Sequence, residues 1–172
     1  MTTAIDELKT LIALAGNKRL PYLEVEIFAD SELTKLYLHN LCKEYHWYSA
    51  SNPIIQLAFR YVCAVNLGRW SAAELLFAQD PQFAYLYARQ CFNGRWIEAE
   101  SVIALDAHFA YYYARDYIKC RWPAAETSIA KSPIYACLYA TTVLFKRWYT
   151  AEPVIAADNF YWSHYCDYFA IT

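Results

Sequence analysis

Arg69-Trp70-Ser71-Ala72-Ala73-Glu74 returns as Arg95-Trp96-Ile97-Glu98-Ala99-Glu100, as Arg121-Trp122-Pro123-Ala124-Ala125-Glu126 and as Arg147-Trp148-Tyr149-Thr150-Ala151-Glu152, each copy 26 residues after the one before. A fixed period of this length marks a stacked-repeat architecture, in which one unit buries its apolar face only against the next. With the Arg as offset 0, five offsets are identical in all four copies: Arg, Trp at 1, Ala at 4, Glu at 5, and Tyr at 18 (Tyr87, Tyr113, Tyr139, Tyr165). Repetition within one chain separates what every unit needs from what decorates it.

Trp at 1, Ala and Glu at 4 and 5, and a large apolar residue at 8 (Phe77, Ile103, Ile129, Ile155) share one face at helical spacing, so a short helix opens each unit. Ser71 with Glu74 reads as a capping box for one of these helices, and Pro123 as the first helical residue of another. A second helix follows. Its start is signalled by Asp80-Pro81 and Ser132-Pro133, with Asp106 and Asp158 in the same capping position, and its stripe by an aromatic at 14, Ala at 15 and Tyr at 18.

Upstream, Arg19, Glu24, Asp30 and Tyr37 hold offsets 0, 5, 11 and 18 of a worn unit, with Leu20 in place of Trp. His46-Trp47 opens another, shortened by about three residues, whose second helix starts at Asn52-Pro53 and in which Phe59 and Tyr61 match Tyr85 and Tyr87. Thr3 to Ala15 places Ile5, Leu8, Ile12 and Ala15 on one face and stops at Gly16, as a capping helix with Asp6, Glu7 and Lys9 turned to water. The expected fold is all-α: a right-handed αα-hairpin solenoid of about six repeats of roughly 26 residues with an N-terminal capping helix. Residues 1–172 form one domain, with the cap at 1–18, two degenerate repeats at 19–68 and four regular ones at 69–172.

Composition fits many short packed helices: 58% of residues are apolar, and 3 Gly in 172 leave no flexible linker. No apolar run reaches the roughly 18 residues that span a bilayer, and no basic-then-apolar leader opens the chain, which predicts a soluble intracellular protein. The six cysteines lack any Cys-x-x-Cys pair and read as reduced thiols filling small core sites. The nearest metal-ligand cluster, His164, Cys166 and Asp167, diverges on a helix; neither a metal nor a cofactor is expected.

Trp70, Glu74, Trp96, Glu100, Trp122, Glu126, Trp148 and Glu152 read as structural. The Trp is a wedge between units, and the Glu complements a helix N-terminus and takes an Arg of its own or the next unit as partner. The Tyr at 18 reads as core, its hydroxyl on a backbone partner. Function is expected where the units differ, on the outward side of the second helices. Tyr85, Arg89, Tyr111, Tyr112, Arg115 and His164 form a candidate partner-binding row, Tyr and Arg being the residues that dominate protein-binding hot spots; the alternative is that part of the row packs between helices, since 17 Tyr cannot all be exposed.

The Arg-Trp-x-x-Ala-Glu units, with Ala110-Tyr111-Tyr112-Tyr113-Ala114-Arg115 following the second of them, resemble short helical repeats written R-W-P-E-A-E-x-x-I and A-Y-x-Y-A-R. Those repeats occur in small proteins of tailed bacteriophages and some bacteria. The likeness covers about 104 residues from Arg69 onward and leaves the first 68 outside it. It implies a phage-encoded accessory protein in the bacterial host cytoplasm that interferes with a host or defence protein.

Three functions are expected in this order. The first is a non-enzymatic protein-binding scaffold that inhibits a bacterial partner. The second is a single-stranded nucleic-acid binder, which Tyr and Arg stacking favours and 17 acidic against 15 basic residues oppose. The third is an enzyme, disfavoured because no Gly-rich phosphate loop, His-Glu-x-x-His or Ser or Cys nucleophile with a placed base occurs, and His108 reads as a surface residue.

Overall fold

A computed structural model describes residues 4–41, 53–64 and 68–171. Every element in them is helical: α1 (Ala4–Ala15), α2 (Glu24–Ala29), α3 (Ser31–Leu41), α4 (Pro53–Ala64), α5 (Glu74–Phe77), α6 (Pro81–Tyr87), α7 (Glu100–Ile103), α8 (Ala107–Tyr113), α9 (Pro123–Ile129), α10 (Pro133–Tyr139), α11 (Glu152–Ile155) and α12 (Asn159–Phe169). Among the described residues there is no strand, and no helix is long and apolar enough to cross a membrane. The opening His46-Trp47 and the capping Asn52 of the shortened upstream unit lie outside the described residues.

The second helices line up as neighbours, α3 on α4, α4 on α6, α6 on α8, α8 on α10 and α10 on α12. Each later first helix rests on the second helix before it: α7 on α6, α9 on α8, α11 on α10. A core therefore runs from Ile12 and Ile27 through Phe77, Ile103 and Ile129 to Ile155 and Tyr165 without a break.

Local chemistry explains the starts. Asp30, Asp80, Asp106 and Asp158 each accept from two backbone amides at the head of a second helix, and Ser132 accepts from one. Pro81 and Pro133 occupy the first helical position behind them, where a missing N–H costs nothing. Pro123 does the same for α9, which runs unbroken for seven residues. Without that proline, the corresponding segments begin as a 3-10 turn (Ser71–Ala73, Ile97–Ala99) and become α-helical only at the Glu. The expected capping box at Ser71 does not form. The residue before the turn is Trp70, with no side-chain cap, and the Glu74 carboxylate is turned to Arg69 instead.

Three second helices close in a π turn, over Ala88–Phe92, Ala114–Ile118 and Ala140–Leu144. The wide i→i−5 turn takes up one extra residue, so the left-handed residue that ends the unit falls at offset 24: Asn93, Lys119 and Phe145. In α12 the helix stays regular and the left-handed residue, Ala170, arrives one offset earlier. Asn tolerates this conformation; a bulky side chain is strained in it. Phe145 sits there at φ 52° with 69% of its surface exposed, so its ring contributes little packing in return. Phe145→Gly is expected to stabilise the protein by about 0.5–1 kcal/mol, relief of the left-handed penalty outweighing the added freedom of the unfolded chain. A thermal melt checks it; a lowered midpoint contradicts the strain.

At the N-terminal end α1 packs on α3 and stops at Gly16, whose φ of 59° is the expected left-handed end. Its apolar face is narrower than its periodicity implied. Ile12 is buried, Leu8 and Ala15 are half-buried, and Ile5 is exposed together with Leu11 and Leu14. The thiols also correct their expectation: Cys137 is buried, Cys91 and Cys166 are half-buried, and Cys63 and Cys120 face solvent. Cys42 lies outside the described residues.

Candidate functional site

The invariant residues of each unit close on one another. Arg at offset 0 grips Glu at offset 5 of its own unit with two parallel hydrogen bonds in all five described cases, from Arg19–Glu24 to Arg147–Glu152, with Nε to Oε1 at 2.5–2.8 Å. The Tyr hydroxyl at offset 18 accepts from the backbone N–H at offset 1 at 2.6–2.7 Å. In four units it also donates to the Glu carboxylate, at 2.8–3.3 Å. The Trp ring lies against the offset-18 Tyr of the preceding unit: Tyr87–Trp96, Tyr113–Trp122 and Tyr139–Trp148, with centroids 5.2–5.5 Å apart. Arg, Glu and Tyr thus tie the two helices of a unit together, and Trp fills the seam to its neighbour.

Burial pushes these tyrosines up, Tyr139 and Tyr165 to about 12, with Tyr37, Tyr87 and Tyr113 raised further. A hydroxyl whose folded value lies above its unfolded value of about 10 stabilises the fold fully below that pH, and the contribution fades as pH rises through the folded value. In a spectrophotometric titration the five are expected to stay protonated at about pH 11, where exposed tyrosines are ionised, and to titrate together on alkaline unfolding. Seventeen tyrosines ionising in one ordinary step would contradict the ladder.

Mostly residues that differ between units, with the repeated aromatic Phe109, build a cleft of about 580 Å³ on the α6 and α8 helices and the π turns that follow them. Tyr85, Leu86, Arg89, His108, Phe109, Tyr112, Arg115, Asp116 and Tyr117 line it. That volume lies within the usual range of ligand pockets, and so does its makeup of aromatic walls with a few polar groups. Arg115 is held from two sides. Its Nε donates to Asp116 Oδ1 at 2.7 Å, and its guanidinium lies over the Tyr112 ring at 4.7 Å and the Tyr111 ring at 5.7 Å. The bond to Asp116 keeps the guanidinium firmly charged, raising it against the opposing effect of burial. Tyr85 Oη donates to the other carboxylate oxygen of Asp116 at 3.2 Å, joining the two units across the cleft. Burial, then the Asp116 charge, raise both Tyr85 and Tyr117. The exposed His108 ring packs on Phe109, Tyr112 and Tyr135 at 4.7–5.2 Å, extending the aromatic floor into the next unit.

Four of the six candidate binding residues therefore meet at one place: Tyr85, Arg89, Tyr112 and Arg115. They do not form an outward row. Tyr85 and Tyr111 are only 5% and 3% exposed, wedged against the next second helix through Phe109 and Tyr135. Tyr111 bridges to Thr142 in place of lining the cleft. His164 is exposed on α12, away from the cleft lining. The sequence reading missed Asp116 as the residue that pins Arg115, and Tyr117 as a wall. Asp116 stands at an offset occupied by Gln90, Thr142 and Tyr168 in the other units, so only its difference from them signalled it.

Among the described residues no group of three or more His, Cys, Asp or Glu is placed to hold a metal ion. A smaller hollow of about 250 Å³ touches Glu74 and Trp96, but that carboxylate is already taken by Arg69 and Tyr87. No family model matches this chain, and neither a curated protein nor a solved structure matches it.

Proposed function

We propose that the chain is an αα-hairpin solenoid of about six roughly 26-residue units acting as a non-enzymatic protein-binding scaffold, with the α6–α8 cleft as its docking site. The observation that carries this reading is the division between repeated and unrepeated residues. The repeated Arg, Trp, Glu and Tyr are consumed in bonds within and between units. The unrepeated Arg89, Arg115, His108 and Tyr112 reach the surface of a concave aromatic cleft. Tyr, Arg and aromatic rings held in fixed positions at a concavity are what protein interfaces use for their strongest contacts.

The likeness of the repeats to those of tailed phages supports a partner in the bacterial host cytoplasm. Inhibition of a host or defence protein by occupying its surface needs no chemistry from this chain. The cleft carboxylate is engaged by both Arg115 and Tyr85, an arrangement that supports a role in holding Arg115 for binding.

Capture from bacterial lysate with tagged full-length protein tests the reading. Arg89→Glu combined with Arg115→Glu is expected to lose a partner that the parent protein retains, while a cooperative melt shows that the variant remains folded. Leu75→Glu, on the exposed side of α5, keeps it. A partner retained by the cleft variant, or lost equally with Leu75→Glu, refutes the assignment. Binding of a labelled single-stranded oligonucleotide at low salt that vanishes with the same arginines would move the function to nucleic acid.

A further inference from the structure

Resting on the scaffold reading of this cleft, we propose that its occupant is a short acidic segment of the partner protein, a side-chain carboxylate seated between Arg89 and Arg115 and a neighbouring ring on the Tyr112–His108 floor.

The charge pattern along the second helices singles out this place. Offset 20 of the four regular units reads Arg89, Arg115, Thr141 and Asp167. At this offset of the four regular units two cations are neighbours at Arg89 and Arg115, in the π turns after α6 and α8, and that is where the cleft opens. Among the lining residues, two guanidinium charges face one carboxylate. Asp116 spends one oxygen on Arg115 Nε and the other on the Tyr85 hydroxyl, while Tyr111 and Tyr85 give Arg115 and Arg89 only neutral hydroxyl partners, so the lining keeps one guanidinium charge in excess of its carboxylate.

Stacking on Tyr112 and the bond to Asp116 fix the plane of the Arg115 fork before any ligand arrives. A planar fork with its orientation already set suits a carboxylate, and pre-ordering spares the entropy that a free surface arginine would lose on binding. Beside it, His108, Phe109 and Tyr112 offer ring faces that accept an aromatic or apolar side chain next to the acid.

The same pattern argues for a short anionic motif over a polyanion. Past Arg115 the row turns neutral at Thr141 and negative at Asp167, and the whole chain carries a formal charge of −2. A phosphate backbone continuing along the helices would meet repulsion where it needs counter-charge. A carboxylate confined to the cleft meets two guanidinium groups against the single Asp116 carboxylate, a net attraction.

The test is calorimetric titration of the full-length protein with the capped pentapeptide DFEYD and its uncharged counterpart NFQYN, inorganic phosphate and a dT oligomer serving as competing anions. DFEYD is expected to bind about tenfold or more tighter than NFQYN, and to weaken as NaCl rises from about 50 to about 300 mM. Arg89→Gln and Arg115→Gln each reduce DFEYD binding about fivefold or more, and Arg115→Lys does not restore it, because charge without the planar fork is insufficient. Melting curves confirm that the variants are folded.

Equal affinity for NFQYN, no binding of either peptide, indifference to Arg89→Gln, or tighter binding of phosphate or the dT oligomer overturns the proposal. Cleft-dependent capture of a lysate partner alongside failure of DFEYD would remove the acidic motif and leave the scaffold reading standing. Capture that ignores the cleft arginines removes both.

Discussion

Glu24→Ala is expected to destabilise the protein by about 3–5 kcal/mol, the range found when one member of a buried, hydrogen-bonded ion pair is deleted. For a chain of this size that is a fall in melting temperature of roughly 6–20 °C. Glu24 is the most deeply buried of the five described ladder carboxylates, with 2% of its side chain exposed against 13–17% for the other four. It accepts from Arg19 on both oxygens, from the Tyr37 hydroxyl at 2.8 Å and from Trp70 Nε1 at 2.6 Å. The last bond spans 46 residues and ties α2 to the Ser71–Ala73 turn, while Arg19 also lies over the Trp70 ring at 5.0 Å. Deleting the carboxylate strands the buried Tyr37 and Trp70 donors and takes the counter-charge from the part-exposed Arg19.

Trp70→Phe removes only the Nε1 donor and is expected to cost less, about 1–3 kcal/mol. Burial alone pushes Glu24 up, but the bonds from Arg19, Trp70 and Tyr37 outweigh it and hold the carboxyl below its usual value. Its stabilising contribution is therefore complete above the unfolded carboxyl value of about 4.3 and is lost as pH falls through the folded one. Urea midpoints of parent and Glu24→Ala should differ widely at pH 7 and converge in acid. A gap that persists undiminished at low pH would mean that the charge is not what the site uses.

How far this was legible from sequence follows from how each residue is used. Five invariant offsets in four copies were enough to mark the residues of the ladder, because a bonded set that every unit requires leaves the same letters at the same spacing; that the Arg serves its own unit and that the Tyr also reaches the Glu needed the structure. The Asp and Ser caps were legible for a similar reason: capping is local chemistry, decided within three residues. For Tyr85 and Tyr111 the letters leave outward exposure and packing between helices both open, and one buried stripe per second helix favours the first. That holds for a helix lying on a single core, but α6 and α8 each have a second helix on either side, and the extra contact buries offset 16 as well.

Ser71 and Glu74 have the spacing of a capping box, yet the same Glu spacing serves the Arg–Glu clamp five residues apart, and two charge-assisted bonds outweigh a neutral cap. The π turns leave no trace in the period, since the three units that carry them repeat at the same 26 residues. Only the one-residue shift at Ala170 betrays them, and that shift exists in backbone angles, not in letters. The cleft was half legible: its arginines stood out by composition, but Asp116, which aims one of them, is informative only once α6 and α8 are side by side.

Trp96→Ala carries the second large effect, and its form is as informative as its size. The ring is 2% exposed, lies 5.2 Å from Tyr87 and stacks on Phe92 at 5.9 Å, all residues of the unit before its own. Truncating a buried Trp costs about 3–5 kcal/mol through lost transfer energy and the cavity left behind. Here that cost falls on a seam between units, while the Trp96 backbone N–H keeps its bond to Tyr113 and the bonds inside each unit survive. When stability is a sum of unit and nearest-neighbour terms, weakening one seam uncouples the two sides. Trp96→Ala should therefore lower the urea midpoint and also reduce the slope of the transition, as the parts on either side begin to unfold separately. Trp96→Phe, which retains a ring in the seam, should shift the midpoint less and keep the slope. A sharp transition of unchanged slope in Trp96→Ala would show that the chain folds as one indivisible core, and that its units are a repetition of sequence without being units of stability.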